Sequence, residues 1–187
     1  MKITPTPIEG LKVIELPVHQ DSRGYFLEFF HTEKFRNLDL PTNFFQDNLS
    51  HSQPNVLRGL HYQKNPLQGK LVGVTRGRIW DVTVDLRKNS PTFGQHFSLE
   101  LSESQANLIW IPGGFAHGFC VLGNEAADVF YKVNCPYNST KEGGILWSDS
   151  GLNIKWPIEF PIVSEKDKAL ITLHEFINTE KYLHEEN

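Results

Sequence analysis

Short runs in which apolar and polar residues alternate recur along most of the chain, and glycine and proline stand mainly between them. Alternation with a period of two is typical of strands that bury one face, and β-branched runs are typical of strands that bury both. Many short strands with Gly and Pro turns indicate a sandwich or a closed barrel. Strands are predicted at 11–18, 26–31, 70–75, 79–86, 95–101, 107–111, 117–122 and 128–134.

Helical signals are few and short. Thr32 can cap a helix at 33–38, because its hydroxyl can accept from a backbone N–H of the first turn. Ser164 is followed three residues later by Asp167, a spacing that resembles a capping box. A third helix is predicted at 173–184. We therefore expect short helices at the periphery of a β-rich fold.

One pair of predicted strands suits a β-hairpin. The runs 70–75 and 79–86 are rich in β-branched residues and are separated only by Arg-Gly-Arg at 76–78. A short connection with a central glycine is the usual signal for two antiparallel strands that pair with each other. The sequence therefore predicts that these two strands are neighbours in one sheet.

Composition narrows the class of protein. A chain of 187 residues is long enough for a sizeable core, and we expect a single domain over residues 1–187. The formal net charge of -4 argues against a nucleic-acid partner, although local basic residues can still bind a small anion. The glycine-rich dinucleotide and P-loop motifs are absent from the sequence, and strands and helices do not alternate regularly. A doubly wound nucleotide fold is therefore disfavoured.

Two features bear on the compartment. The first residues contain no long apolar core, and no run of 18 apolar residues occurs, so we expect no signal peptide, no membrane span and a cytoplasmic location. Cys120 and Cys135 could form one bridge. Two free buried thiols are the favoured interpretation for a chain that carries no export signal.

Polar residues recur with strand periodicity at 46–50, where Gln46, Asn48 and Ser50 would share one face of a strand. Such a face is unusual for a core and suits the binding of a sugar or a phosphate. Arg58 and His61 follow with a glycine between them. A lone histidine is more often structural than catalytic, so this cluster by itself leaves the role of His61 open.

Residues 111–119 contain P-x-G-x-x-H, which resembles the second motif of the cupins, a jelly-roll class in which this histidine is a metal ligand. His117 is the corresponding residue. The first cupin motif is not matched, because His61 is followed by Tyr-Gln and no acid stands before Asp81. Divalent metals need three or four suitable ligands, and the ammonium group of Lys70 would repel a cation. We therefore expect no bound metal and no cofactor.

Two further segments carry candidate chemistry. Arg23, Phe26 and Glu28 lie within D-S-R-G-Y-F-L-E, where an aromatic ring and a carboxylate would share a strand face and could bind a base. Taken alone, this segment is more simply a turn, a core aromatic residue and a solvated acid. Tyr131 lies in a predicted strand and Glu142 follows it. A tyrosine in a β-rich core usually donates one hydrogen bond and has no catalytic role.

Seven segments, taken in order, resemble the deoxythymidine diphosphate (dTDP)-4-dehydrorhamnose 3,5-epimerase family. They are D-S-R-G-Y-F-L-E, Q-D-N-L-S-H-S, V-L-R-G-L-H-Y-Q, Q-G-K-L-V, V-D-L-R-K-N-S-P-T-F-G, I-P-G-G-F-A-H-G-F and S-E-K-D. Each segment alone is weak evidence, but together they cover residues 10–167 and are specific. The resemblance implies an all-β, cupin-like jelly roll with a few short peripheral helices.

The resemblance also implies roles for individual residues. His61 is similar to the catalytic base, Asp167 to its dyad partner, Tyr131 to the opposing acid and Lys70 to the cation near the C4 oxygen of the substrate. Residues Arg23, Phe26 and Glu28 are similar to those that reach the base and diphosphate across a homodimer. The implied contacts to the sugar, ribose and phosphates are Gln46, Asn48, Arg58, His117 and Glu142.

The implied reaction inverts C3 and C5 of dTDP-4-dehydro-6-deoxy-D-glucose without a metal. Protons at these carbons are acidic because they adjoin the C4 carbonyl, and a histidine suits their removal near neutral pH. A family member that acts at C3 only, or on another nucleotide-sugar, is the nearest alternative. From other classes, a metal-dependent cupin oxygenase and a binding module without turnover also remain open.

Overall fold

The computed structural model describes residues 1–179, in which strands predominate and three short helices lie at the periphery. The strands are β1 (Lys2–Pro5), β2 (Lys12–Glu15), β3 (Val18–Asp21), β4 (Gly24–Leu27), β5 (Gln46–Ser52), β6 (Leu57–Gln63), β7 (Lys70–Arg76), β8 (Arg78–Asp85), β9 (His96–Ser102), β10 (Asn107–Ile111), β11 (Phe115–Val121), β12 (Ala127–Val133) and β13 (Glu142–Gly144). The helices are α1 (Thr32–Arg36), α2 (Glu165–Lys168) and α3 (Leu173–Asn178).

Two antiparallel sheets form the body of the molecule. The six-stranded sheet has the order β1-β2-β10-β7-β12-β5, and the five-stranded sheet has the order β13-β6-β11-β8-β9. From β5 to β8 and again from β10 to β13, successive strands belong to different sheets. This alternation is the jelly-roll arrangement, and it confirms the predicted all-β fold class. The remaining strands, β3 and β4, form a separate two-stranded ribbon.

The main core lies between the inner faces of the two sheets. Val72 and Val74 from one sheet meet Ile79 and Phe119 from the other in one buried cluster. The outer face of each sheet is covered as well, by the N-terminal segment on the six-stranded sheet and by residues 145–176 on the five-stranded sheet. Both faces of the central strands are therefore buried, which explains their nearly continuous apolar character.

The predicted hairpin of residues 70–75 and 79–86 is wrong. β7 pairs with β10 and β12, whereas β8 pairs with β9 and β11 in the other sheet. The connection is a tight corner between sheets at Gly77, which has a φ of 72°. A Cβ atom there would lie 2.6 Å from the carbonyl oxygen of Ala126, so the corner requires glycine. The short link therefore marks a change of sheet.

Two predictions near residue 30 are also wrong. The strand predicted at 26–31 ends at Leu27, because Phe29 and Phe30 leave the ribbon and pack into the outer cluster of the six-stranded sheet. Thr32 does not cap α1. The N-cap position is His31, and it forms no side-chain capping bond. Aromatic packing therefore decides the path of the chain at this point.

Other predictions are confirmed. The runs predicted at 95–101 and 107–111 correspond to β9 and β10. α3 accounts for the first part of the helix predicted at 173–184, and residues 180–184 lie outside the described residues. Cys120 and Cys135 are both free and buried. Within residues 1–179, no helix is long and apolar enough to cross a membrane.

Candidate active site

A cavity of about 710 Å³ opens between the two sheets at one end of the barrel. Both sheets and α2 contribute polar side chains to it. The predicted site residues that line the cavity are Gln46, Asn48, Arg58, His61, Lys70, His117, Tyr131, Glu142 and Asp167. The fold therefore brings all of the predicted catalytic residues and most of the predicted substrate contacts into one place.

His61 and Asp167 form a hydrogen-bonded pair at the wall of this cavity. The Nε2 atom of His61 lies 2.7 Å from Oδ1 of Asp167, and the second carboxylate oxygen accepts the backbone N–H of Gly59 at 3.1 Å. Burial by itself would raise the pKa of Asp167. The hydrogen bond and charge of His61, with the Gly59 N–H, outweigh burial and hold that pKa below its ordinary value. Asp167 is therefore an ionised partner for the imidazole ring.

The short helix α2 presents this carboxylate. The Ser164 side chain accepts the N–H of Asp167 at 3.1 Å, which confirms Ser164 as the predicted N-cap. A complete capping box would direct the Asp167 carboxylate back to the Ser164 N–H. Here the carboxylate reaches His61 and Gly59 instead. By contrast, Thr172 and Glu175 form a complete capping box at the start of α3.

Lys70 projects from β7 toward the backbone of the base candidate. Its Nζ atom donates to the carbonyl oxygen of His61 at 3.2 Å. Burial lowers the pKa of Lys70 to about 8, although the negative charges of Glu142 and Asp81 oppose this shift. A lysine with this pKa is mostly protonated at neutral pH, so it can act as a cationic donor.

Tyr131 belongs to the sheet opposite the one that carries His61. Tyr131 lies on β12 of the six-stranded sheet, whereas His61 lies on β6 of the five-stranded sheet, and both line the same cavity. Burial raises the pKa of Tyr131, and among nearby charges Arg58 opposes this shift and Glu142 reinforces it. The phenol is therefore protonated at neutral pH and able to donate a proton.

The polar face predicted on β5 is present. Gln46, Asn48 and Ser50 all line the cavity, and Gln46 Nε2 donates to Asn48 Oδ1 at 2.8 Å. The hydroxyl oxygen of Ser50 is buried and has no hydrogen-bond partner among the described residues. Arg58 is held by the Ser52 hydroxyl at 2.9 Å. This wall offers amides and a guanidinium group to an anionic, hydroxyl-rich ligand.

A network at the rim includes two residues that the sequence did not single out. The Tyr137 hydroxyl donates to Glu142 Oε2 at 2.9 Å, and the Lys166 ammonium group binds the same oxygen. Burial favours a raised pKa for Glu142, but its bonds to Lys166 and Tyr137 outweigh burial and lower the pKa. Lys166 could have been found by its place immediately before Asp167 in S-E-K-D. Tyr137 lies in an irregular loop and carries no comparable signal.

His117 is the register partner of His61 on the neighbouring strand β11. Its Nε2 atom lies 2.7 Å from Oδ2 of Asp81, a residue on β8 that is fully buried. Asp81 was not among the predicted site residues. An acid within a β-branched run is expected on a solvated face, but β8 is buried on both faces and directs Asp81 into the barrel.

The structure does not bring Arg23, Phe26 and Glu28 into the cavity of the same chain. Arg23 pairs with Asp21 at 2.7 Å, and Glu28 pairs with Lys34 at 2.8 Å. The Phe26 ring is 67% exposed. Arg23 and Phe26 line a separate shallow depression formed by residues 18–26 of the β3–β4 ribbon.

The cavity is a poor site for a divalent cation. Within residues 1–179, no group of three or more His, Cys, Asp or Glu side chains could hold a metal ion. His61 and His117 each place Nε2 on a carboxylate, and the cations Lys70 and Arg58 share the cavity with them. Positive charge at these positions favours an anionic ligand.

Comparisons with known proteins agree on one family. The family model described as dTDP-4-dehydrorhamnose 3,5-epimerase matches residues 5–175. A dTDP-4-dehydrorhamnose 3,5-epimerase of Shigella flexneri is 47% identical over 169 residues, which cover 89% of this chain and 93% of that protein. A dTDP-4-dehydrorhamnose 3-epimerase of Streptomyces niveus is 34% identical and covers 94% of this chain and 85% of that protein.

A solved structure supports the same relationship. The dTDP-6-deoxy-D-glucose-3,5-epimerase of Legionella pneumophila, in complex with dTDP-4-keto-L-rhamnose, superposes with a TM-score of 0.92 at 42% sequence identity. The match covers 100% of this chain and 99% of that chain. The similarity therefore extends over the barrel and over the segments that line its cavity.

Proposed function

Because this chain belongs to the dTDP-4-dehydrorhamnose 3,5-epimerase family and is an isomerase, we propose that it inverts both C3 and C5 of dTDP-4-dehydro-6-deoxy-D-glucose. The product is dTDP-4-dehydro-L-rhamnose. One observation carries the proposal: a carboxylate-bound imidazole and a protonated phenol line a single cavity from opposite sheets. Inversion requires removal of a proton from one face of the sugar and delivery to the other.

His61 serves as the base. It takes the proton from C3 or C5, and the electron pair of the broken C–H bond forms a carbon–carbon double bond while O4 becomes an enolate oxygen. Asp167 holds the ring through Nε2 and stabilises its charged form, so Nδ1 is the nitrogen that accepts the proton. The positive charge that His61 gains is balanced by the ionised carboxylate.

Tyr131 serves as the acid. Its hydroxyl proton passes to the same carbon from the opposite face, the enolate collapses to the C4 ketone, and the centre is inverted. Proton exchange with solvent then restores the phenol and the neutral imidazole. The raised pKa of Tyr131 keeps its proton in place until the enolate forms.

Lys70 stabilises the enolate. A fixed donor aimed at a developing oxyanion is typically worth about 3–4 kcal/mol of barrier. The scheme needs no metal, and the cation that a metal would supply is provided by this ammonium group. The Arg58 guanidinium suits the diphosphate, because its fork can pair bidentately with phosphate oxygens.

We further propose that the protein acts as a homodimer. Arg23, Phe26 and Glu28 then reach the nucleotide bound in the partner's cavity. The exposure of the ribbon supports this, because it presents Phe26, Tyr25 and Val18 to solvent in the single chain. Large exposed apolar side chains clustered on one ribbon are typical of a surface that another chain covers.

Turnover of the substrate in heavy water tests the reaction. Each inverted carbon acquires deuterium from solvent, so the proposal predicts label at both C3 and C5 of the product by NMR. Label at C3 alone would replace it with single epimerisation, an alternative favoured by the similarity to the Streptomyces niveus 3-epimerase. Elemental analysis of the same preparation tests the metal-free scheme, since stoichiometric iron, zinc or manganese would contradict it.

A further inference from the structure

The cavity contains a second imidazole–carboxylate pair with the same geometry as the first. His117 binds Asp81 through Nε2 at 2.7 Å, as His61 binds Asp167 through Nε2 at 2.7 Å. The two histidines lie directly opposite each other on neighbouring antiparallel strands. Both rings line the cavity, whereas Asp81 does not. His117 is therefore the cavity residue through which Asp81 contacts a bound ligand, while the charge of Asp81 also acts on Lys70.

Asp81 is a costly residue for a purely structural role. It is fully buried, and its Oδ1 atom has no hydrogen-bond partner among residues 1–179. A buried carboxylate with one oxygen unpaired loses hydration without full compensation. Apolar residues of similar size would fill the position between Ile79 and Thr83 at less cost. An acid at this position therefore points to a task that an apolar residue cannot perform.

We propose that Asp81 is a positioning residue that fixes the tautomer and orientation of His117. The carboxylate can only accept, so Nε2 carries the proton and Nδ1 is left as an acceptor for a hydroxyl group of the bound sugar. This inference rests on the proposed function, because the hydroxyl belongs to the sugar nucleotide. His117 then accepts a hydrogen bond from a sugar hydroxyl, while His61 on the neighbouring strand removes the proton from the sugar carbon.

The first test is made on the ligand-free protein. Long-range ¹H–¹⁵N NMR spectra assign the proton of each histidine ring. The wild-type spectrum should show His117 as the Nε2–H tautomer, and Asp81→Asn should shift His117 toward a mixture, because an amide can donate as well as accept. A wild-type ring protonated only at Nδ1, or a spectrum unchanged by Asp81→Asn, would overturn the proposal.

The second test is a double-mutant cycle in steady-state kinetics. Asp81→Asn should lower kcat/KM by about tenfold or more, the loss of one hydrogen bond to an ordered group, while the melting temperature stays at or above the wild-type value. In a His117→Ala background the same change should have no further effect. Equal losses in both backgrounds would show that Asp81 does not act through His117.

Thr83→Val is the matched control. Thr83 is the register partner of His117 on β8, is fully buried and has no hydroxyl partner among the described residues. This substitution should leave kcat/KM and the His117 tautomer unchanged. If the wild-type protein does not turn over the sugar nucleotide, the proposed function fails, yet the NMR result still decides whether Asp81 fixes the ring.

Discussion

The predicted site residues fall into two groups, one in the cavity and one on or beside the β3–β4 ribbon. The two groups differ in how firmly the fold holds their side chains. In the cavity, to which six strands and one helix contribute side chains, His61 and His117 are fixed by bonds to carboxylates distant in sequence. On the ribbon, Arg23 and Glu28 bind only neighbours within a few residues, and Phe26 faces solvent. The residues proposed for proton transfer therefore lie together in one chain, whereas Arg23, Phe26 and Glu28 do not reach the cavity of that chain.

The largest expected effect lies on the cavity side. His61→Ala should lower kcat by about 100- to 10,000-fold, the range for loss of a general base, while binding of dTDP measured by calorimetry changes little. His174→Ala, at an exposed position on α3, is the control for replacing a histidine. Turnover by His61→Ala near the wild-type rate would remove the base from the scheme.

The pH dependence of kcat/KM should follow the titration of the Lys70 ammonium group. Its pKa of about 8 predicts that kcat/KM falls by about tenfold per pH unit above that value, because the deprotonated amine no longer stabilises the enolate. The expected break lies in a profile measured from pH 6 to 10. Lys70→Arg, which stays charged, should move the break upward. A break that is identical in Lys70→Arg would assign it to another group.

The free energy of unfolding should rise with pH over the range in which kcat/KM falls. The folded-state pKa of Lys70 is depressed from 10.5 to about 8, so between these values the unfolded chain binds more protons than the folded protein. The contribution of Lys70 to the free energy of unfolding therefore rises with pH through this window. Chemical denaturation at pH 8 and 10 measures it, with Lys70→Met as the variant in which this contribution disappears.

Complementation between two impaired variants, measured at a substrate concentration well below the KM of the ribbon variant, tests the ribbon. If it acts across a dimer, mixing His61→Ala with Arg23→Ala/Phe26→Ala after joint refolding should restore about a quarter of the wild-type sites, because half of the dimers are mixed and each contains one intact site. The ribbon variant alone should show a KM raised by about tenfold or more, the usual range for one stacking contact. No recovery from a mixture shown to contain mixed dimers would place the ribbon and the cavity of each site in one chain.

The smallest expected effect is the loss of stability when a helix cap is removed, and two caps can be compared. Ser164→Ala and Thr172→Ala should each lower the free energy of unfolding by about 1 kcal/mol. Only Ser164→Ala should also lower kcat, because α2 presents Asp167 to His61, whereas α3 packs on the outer face of the barrel. Equal kinetics for the two variants would show that the cap does not position the dyad.

Strands such as β9 and β10 and the polar face of β5 were predictable because their periodicities are local properties of the sequence. Gln46, Asn48 and Ser50 alternate with exposed residues and all reach the cavity. The pairing of His61 with Asp167 was not a local property. The two residues are 106 positions apart, and only the resemblance to a family of known order joined them.

The errors have a common physical cause, which is packing between elements distant in sequence. β7 and β8 are buried on both faces, so their composition does not reveal which strands they pair with. Asp81 was missed for the same reason, since nothing in the run 79–86 shows that this acid is buried against His117. Phe29 and Phe30 have strand-forming side chains, but their burial against Phe44 and Phe130 ends the strand.

The loop at 134–141 contributes Tyr137 to the cavity and is separate from the strands that carry His61 and Tyr131. The loop connects β12, the strand that carries Tyr131, to β13. Its Tyr137 hydroxyl donates to Glu142 at the rim of the cavity. Gln63 anchors it by bonds to the backbone of Pro136 and Asn138. An insertion or deletion among the exposed residues 136–140 would change the shape of the entrance, while β6 and β12, which carry His61 and Tyr131, keep their register. Diversification of this barrel toward other sugars can therefore proceed by editing one exposed corner.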